Sequence, residues 1–371
     1  MKILIVTSTI APYRRDWFNE LSKYAEVKVV YTKSSDVERN KGWLVNDSQI
    51  FNLVKLGNSI RKNPLVFSII NILKNSMNYE IIMFDGYGPY TNILGMLYLS
   101  MKKKLYYVNV DGIFSKKENF LNLLVKKVLF KLKFYVLCSG TRTKEYLIKL
   151  GVKRERIYIH PFTSVLRSDI ISDCLNYDEK DLLRKKLNLT GNKIVLTVSR
   201  FLDWKRLEDL MMSQLYVQND IDIYIIGGSP TSSYLQLIKK NNLNKIHFVD
   251  FLDKETLKKY YDAADIFAFP SSNEVWGLVV NEAMSRGLPV IATDHCGAAE
   301  MLVKNNINGY IYESGNIKQL ADCIDRIYDS DKLSSFSLNS KEIISDYTIE
   351  NMAKMHYDIF NANLKREKYN G

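Results

Sequence analysis

Only 7 prolines and 17 glycines are spread over 371 residues, and no low-complexity tract or solenoid-period repeat occurs. That excludes a collagenous, linker-like or disordered chain. Cysteine is scarce as well. Cys138, Cys174, Cys296 and Cys323 are far apart and form no C-x-x-C, so they read as free thiols of a reducing compartment rather than a disulfide framework. His160, His247, His295 and His356 lack metal-ligand spacing. No apolar run reaches the roughly 18–20 residues of a membrane span. The opening MKILIVTSTI is short for a signal-peptide core and reads as a first strand. A cytoplasmic location is expected, with peripheral contact on the cytoplasmic face of the plasma membrane as an option. Walker A and G-x-S-x-G loops are missing too.

What is present is a globular composition, 46% hydrophobic and 25% charged, in a chain longer than one core usually serves, so two domains are expected. The net charge of +11 is unevenly placed. Residues 1–170 hold 28 Lys and Arg against 13 Asp and Glu, a balance of +15; residues 171–371 hold 24 against 28, a balance of −4. One half is thus suited to meet an anionic surface and the other is not.

Strand-like and helix-like stretches alternate throughout. KILIVTS, VKVVYT, EIIMFDG, KLYYVNVDG, FYVLCSG and RIYIHPF read as strands of the first half, with helices such as PYRRDWFNELSKYA and TNILGMLYLSM between them. After a polar stretch at 164–190 the alternation resumes with NKIVLTVSR, IDIYIIGG, KIHFVDF, IFAFPS and PVIAT. Such alternation specifies parallel sheets covered by helices, with ligands beyond the carboxyl ends of the strands. The expected domains are 1–168, joined by a C-terminal helix at about 352–371 that packs back on it, and 169–351.

The densest signal is PSSNEVWGLVVNEAMSRGLPVIATDHCGAAEM at 270–301. A loop turns into a helix at Gly277, and Gly287 and Pro289 end that helix before the strand VIAT. A helix start offers unpaired N–H groups and a positive dipole end to an anion. Glu274 and Glu282 flank it, and carboxylates grip sugar hydroxyls. A second signal is VSRFLDWKRLEDL, where Arg200 and Lys205 stand five apart on a loop after a strand. A forked guanidinium beside an ammonium suits a diphosphate.

Together these segments resemble the family 4 glycosyltransferases, retaining enzymes of the GT-B fold. Glu274 and Glu282 match their E-x7-E signature within P-S-x-x-E-x-x-G-L-x-x-x-E-A-M-x-x-G-L-P-V-I. Arg200 and Lys205 match R-x4-K-G, except that Arg206 replaces the glycine. The resemblance is specific over about 200–300 and thin over 1–165.

It implies an α/β, two-Rossmann architecture facing across a cleft. It also implies a metal-independent enzyme without a cofactor, moving a sugar from a nucleotide diphosphate sugar such as a UDP-sugar. Arg200 and Lys205 would neutralise the leaving diphosphate, assisted by N–H groups at Gly277 and Leu278. Glu274 would hold the donor sugar and Glu282 the ribose. Gly227 and Gly228 would lie at the donor, and Phe251 and Leu252, in HFVDFL, at the base. Where family members carry H-G at the end of a first-domain strand, this chain has Asp111-Gly112. A surface-polysaccharide variant of the family has D-G there, with P-F-T-S and W-G-L-V-x-N-E-A-M, matched here at 161–164 and 276–284. Asp111 would face the reacting carbon. Tyr13, Arg14, Arg15 and Asp85 are acceptor-side candidates. The acceptor expected by analogy is a glycan or lipid-linked oligosaccharide of capsule or lipopolysaccharide type.

KKENFLNLLVKKVLFKLKF at 116–134 has the composition of a membrane-surface helix, with Lys126, Lys127 and Lys131 as contacts, although a core-facing helix with solvated lysines reads the same. Asp220-Ile221-Asp222 reads as a turn into a strand rather than a metal site. Two rival functions are a GT-B nucleotide-sugar epimerase, distinguished by its products, and a basic nucleic-acid-binding protein. The latter lacks an aromatic-basic motif and confines its charge to one half.

Overall fold

A computed structural model describes residues 1–31, 51–55, 76–112, 119–329 and 332–369. They fall into two compact units, Met1–Ser164 with Thr348–Gly371, and Val165–Tyr347.

The first unit is built on β1 (Lys2–Thr7), β2 (Glu26–Tyr31), β3 (Asn52–Lys55), β4 (Ile81–Asp85), β5 (Tyr106–Val110), β6 (Tyr135–Cys138) and β7 (Ile157–Ile159). All are parallel, in the order β3-β2-β1-β4-β5-β6-β7. Strands covered on both faces read as continuous apolar runs, and ILIV, IIMF and YVLC are buried throughout. The helices are α1 (Pro12–Ser22), α2 (Tyr90–Met101), α3 (Phe120–Leu129) and α4 (Thr141–Lys149). Pro12 starts α1, where a missing N–H costs nothing.

The second unit contains β8 (Ile194–Val198), β9 (Asp222–Ile226), β10 (Ile246–Val249), β11 (Ile266–Phe269), β12 (Val290–Thr293) and β13 (Gly309–Tyr312), parallel in the order β10-β9-β8-β11-β12-β13. Its helices are α5 (Tyr177–Lys186), α6 (Leu207–Ser213), α7 (Ser232–Asn241), α8 (Lys254–Ala263), α9 (Leu278–Ser285), α10 (Gly297–Leu302), α11 (Ile317–Tyr328) and α12 (Leu333–Ser345). The strand order reverses direction between β8 and β11, which makes their carboxyl ends the topological switch point of this sheet. Strand β13 and helix α12 have no counterpart in the sequence reading; GYIY is too short to show a period.

The chain then returns to the first unit as α13 (Ile349–Tyr369), which packs along α1. Tyr357 stacks on Tyr24 with centroids 5.4 Å apart, and His356 meets Trp17 edge-on at 5.0 Å.

Of the basic segment 116–134, residues 116–118 lie outside the described residues. No described helix is long and apolar enough to cross a membrane. Asp222 opens β9 and pairs with His247 at 2.6 Å, in keeping with a turn into a strand. Among the described residues no three His, Cys, Asp or Glu side chains are grouped to hold a metal.

Candidate functional site

The second unit brings two of its sequence-predicted residues, Lys205 and Glu274, together at the switch point. Strand β8 ends at Val198, and its exit loop carries Arg200, exposed, and Lys205, largely buried. The carbonyl of Trp204 accepts from the Ser272 N–H at 2.8 Å and from the Ser271 hydroxyl at 3.1 Å. These bonds stitch the β8 exit loop to the β11 exit loop. They bring Lys205 against Glu274, 69 residues further on, in a direct ion pair. The same ammonium lies 4.9 Å from the Phe269 ring centroid, a cation–π contact in a poorly solvated corner. One strong cation and one carboxylate thus meet where the strand order reverses.

The backbone around Glu274 is fixed from both sides. Its N–H donates to the His295 carbonyl at 3.1 Å, and its carbonyl accepts from Gly297 at 3.3 Å. The buried Trp276 donates from Nε1 to Asn281 Oδ1 at 2.9 Å, locking the loop onto α9. The Cys296 thiol donates to the Trp276 carbonyl at 3.0 Å, and burial pushes it up to about 12, so it is no nucleophile here. Gly277 caps α9 with φ +101°, and a Cβ there would sit 3.1 Å from Cys296 Sγ and 3.2 Å from Phe269. The turn therefore requires glycine on two counts. Leu278 is the first residue of α9. Glu282, a turn along, accepts from the Tyr261 hydroxyl at 3.3 Å. Burial, then the Glu282 carboxylate, hold that phenol well above its usual range.

Gly227 and Gly228 follow β9. A Cβ on Gly227 would overlap the Ser199 carbonyl, so two strand exits cross in contact there. Phe251, half-exposed, and Leu252 follow β10, the next strand outward. Arg206, where the resembled pattern has glycine, adopts φ +49°. The departure is accommodated because its guanidinium grips the buried Asp209 of α6 at 2.5 and 2.8 Å.

In the first unit, the ends of β1, β4 and β5 assemble a second charged cluster. Arg14 Nη2 lies 2.8 Å from Asp85 Oδ1 and 2.6 Å from Asp111 Oδ2. Asn109 donates to Asp85 at 3.0 Å and to Asp111 at 2.7 Å, and the Thr7 hydroxyl donates to Asp85 at 2.9 Å. Burial raises the Asp85 carboxyl above its usual range; the Arg14 guanidinium opposes this and the Asp111 charge adds to it. Asp111 is the more open carboxylate, with its side chain about a third exposed. The aromatic rings of Tyr13, Trp17 and Phe162 surround the guanidinium at 5.4–5.8 Å. The acceptor-side candidates Arg14 and Arg15 are both buried, and Arg14 is paired with the two aspartates.

Lys126 is half-buried, with its ammonium 5.4 Å from the Tyr87 ring and 3.3 Å from the Tyr146 hydroxyl, whereas Lys127 and Lys131 are exposed. Sequence reasoning missed Phe269, Ser271, Ser272, Asp209 and Tyr261 in one unit, and Thr7, Asn109 and His160 in the other. Phe269, Ser271, Ser272, Thr7, Asn109 and His160 lie at or just beyond strand ends, the one signal that could have pointed to them, whereas Asp209 and Tyr261 lie within helices and carried none.

Fold and site define a class: an α/β chain of the GT-B fold, whose second unit holds a cation–carboxylate pair at its switch point. Residues 179–342 match the family described as Glycosyl transferases group 1, and the second unit belongs to it. The chain is 27% identical over 193 residues to an uncharacterized glycosyltransferase of Methanocaldococcus jannaschii, covering 50% of this chain and 49% of that one. It is 22% identical over 286 residues to the N,N'-diacetylbacillosaminyl-diphospho-undecaprenol alpha-1,3-N-acetylgalactosaminyltransferase of Campylobacter jejuni, covering 73% and 74%. It thus spans about half the length of the first of these and about three quarters of the second. The crystal structure of Anabaena HepE in complex with UDP has the same fold, at TM-score 0.79 and 18% identity over 98% of this chain and 100% of that one.

Proposed function

We propose that the chain is a retaining glycosyltransferase that moves a sugar from a nucleotide diphosphate sugar to a glycan or lipid-linked oligosaccharide in cell-surface polysaccharide biosynthesis. The observation that carries it is the Lys205–Glu274 ion pair at the switch point of a group 1 domain. In the unliganded pair each charge satisfies the other. An arriving diphosphate competes for Lys205, with Arg200 on the same loop adding a forked contact. Glu274 is then released to accept hydroxyls of the sugar. Charge develops on the leaving diphosphate in the transition state, so cations and N–H groups near Gly277 and Leu278 that are already in place stabilise it without reorganising. These cations stand where another enzyme would use a metal, and no metal or cofactor is invoked. Glu282, held by Tyr261, suits the ribose, and Phe251 and Leu252 suit the base. Asp111 is the open member of the first unit's cluster.

Support for the substrate class comes from the relatives: one is named for transfer onto a diphospho-undecaprenol-linked sugar, and HepE was crystallised with UDP. A lipid-linked acceptor calls for work at the cytoplasmic face of a membrane, reached through the basic first unit.

The decisive experiment incubates the protein and its Glu274→Ala variant with a panel of nucleotide sugars and lipid-linked acceptors. The wild type should release nucleoside diphosphate with transfer. The variant should lose at least about a hundredfold in rate, the scale of a lost transition-state contact, with an unchanged melting temperature. Equal turnover in the two proteins would reject the site.

A further inference from the structure

Among the described residues, Arg14, Arg15 and Arg184 are the buried arginines. Arg14 pairs with Asp85 and Asp111, and Arg184 with Asp265. Arg15 is different. It is 9% exposed, its Nε is enclosed without a hydrogen-bond partner, and no ion pair or hydrogen bond to its side chain occurs among the described residues. A buried cation is costly unless an anion meets it, and here the chain itself supplies none.

Arg15 stands at the start of a helix. It is the fourth residue of α1, and helical side chains lean toward the N-terminus of their own helix, so its stem runs back over the first turn. No side chain of the protein caps that turn. Ala11, in the cap position, has no oxygen to accept there, Pro12 follows, and the first turn holds no acid. The positive end of the helix dipole and the N–H groups of a helix start thus act in the same direction as the guanidinium. Residues 8–10, ahead of the helix, are only half-buried and leave it open to approach.

Topology places this helix start at the switch point of the first sheet. From β1 the chain runs through α1 to β2 on one side, while β4 lies on the other side of β1. Ligands of open parallel sheets settle beyond the carboxyl ends of the strands at such a reversal. The acids at that sheet end do not neutralise Arg15, because Asp85 and Asp111 are engaged by Arg14, Asn109 and Thr7. A forked cation beside a helix start favours an oxyanion with several oxygens. A phosphate group presents more oxygens than a carboxylate and meets the fork and the backbone N–H groups at once.

We propose that Arg15 and the first turn of α1 form an anion site that takes a phosphate or diphosphate group of the acceptor. This gives the acceptor a chemical class and rests on the function read above for the word acceptor alone; its test reads anion binding. The site is built from other residues than the Arg200–Lys205 loop, which belongs to the second unit. A sugar linked to lipid through a diphosphate and a phosphorylated sugar both carry the required group.

The full-length chain is titrated by calorimetry with inorganic pyrophosphate at low salt. The wild type should bind it, and Arg15→Met should bind it at least about tenfold more weakly, the scale of a lost hydrogen bond to a charged group. Arg15→Lys should recover part of the affinity, since it restores the charge without the fork. Lys205→Gln should weaken UDP binding and keep the Arg15-dependent binding of pyrophosphate. Geranyl diphosphate and glucose 6-phosphate separate the two sources. Tighter binding of the first assigns a lipid-linked diphosphate and of the second a phosphorylated sugar, and dependence of either on Arg15 supports the site. Without ligand, Arg15→Met should melt no lower than the wild type, because it removes a buried cation that the protein does not pair. A lower melting temperature would make Arg15 a structural residue and overturn the proposal. So would equal pyrophosphate binding by the wild type and Arg15→Met, or Arg15-dependent binding of glucuronate tighter than that of pyrophosphate. UDP binding untouched by Lys205→Gln would count against the donor reading alone.

Discussion

Single residues in the β8 exit loop show how a departure from a family pattern is absorbed. Arg206 sits at φ +49°, where a side chain costs about 1 kcal/mol or more relative to glycine. Its two bonds to buried Asp209 offset that cost. Replacement by alanine keeps the strain and takes the guanidinium from Asp209, whereas glycine also takes the guanidinium but relieves the strain. Urea unfolding should therefore rank wild type above Arg206→Gly, and Arg206→Gly above Arg206→Ala by about 1 kcal/mol. Equal stability of the two variants would show that the left-handed turn is not held in solution. The Arg200–Lys205 spacing, Glu274 and Glu282 were legible from sequence because a loop between a strand and a helix preserves them in a short window. Arg14 was legible as a residue but not in its place. Its partners Asp85 and Asp111 are 71 and 97 residues away, and nothing local distinguishes a buried arginine from a solvated one.

At the scale of elements, the exit of β7 and the helix α13 meet through two buried histidines. His160 and His356 lie 4.6 Å apart between ring centroids, and no described protein group hydrogen-bonds their ring nitrogens. Burial, assisted by the nearby Arg14 charge, lowers His160 to about 3; burial, His160 and Arg14 push His356 well below its ordinary value. The sign follows from proton binding. Between about pH 6.5 and 3 the unfolded chain binds a proton that folded His160 refuses, so stability falls as pH falls, by up to about 1.4 kcal/mol per unit, and His356 acts in the same direction. Asp85, raised by burial, works in the opposite direction above about pH 4. Urea midpoints of His356→Leu and the wild type, compared from pH 7 to 4, isolate the imidazole. The variant should have the shallower acid slope, and identical slopes would mean that His356 is not neutral and buried. Strand and helix positions were mostly readable from continuous apolar runs and 3.6-residue periods. β13 and α12 were not, because GYIY is short and the sequence LSSFSLNSKEIIS has a polar, serine-rich stripe whose single aromatic, Phe336, supplies the core contact.

For the whole molecule, the chain begins and finishes in the same unit. Helix α13 packs along α1, with Met352, Ala353 and Phe360 buried, and Phe360 packs 4.6 Å from Tyr107 of β5. A chain ending at Tyr347 should expose Trp17 and Tyr107 and lose cooperative unfolding of the first unit, while the second unit, 165–347, keeps its own transition. Two transitions in differential scanning calorimetry of the truncated protein, both at wild-type temperatures, would refute this.

Sequence alone determined the alternation of strands and helices, the asymmetry of charge and the short motifs around Lys205 and Glu274, because each depends on neighbours within about twenty residues. Only the tertiary structure decided which charges face each other. It buried Arg14 against Asp85 and Asp111, joined Lys205 to Glu274 across 69 residues, and left Tyr90 and Met101 of α2 exposed. Those outcomes depend on which strands become adjacent and which helix faces they bury, and a helix with apolar residues on two faces does not declare which one the core will take.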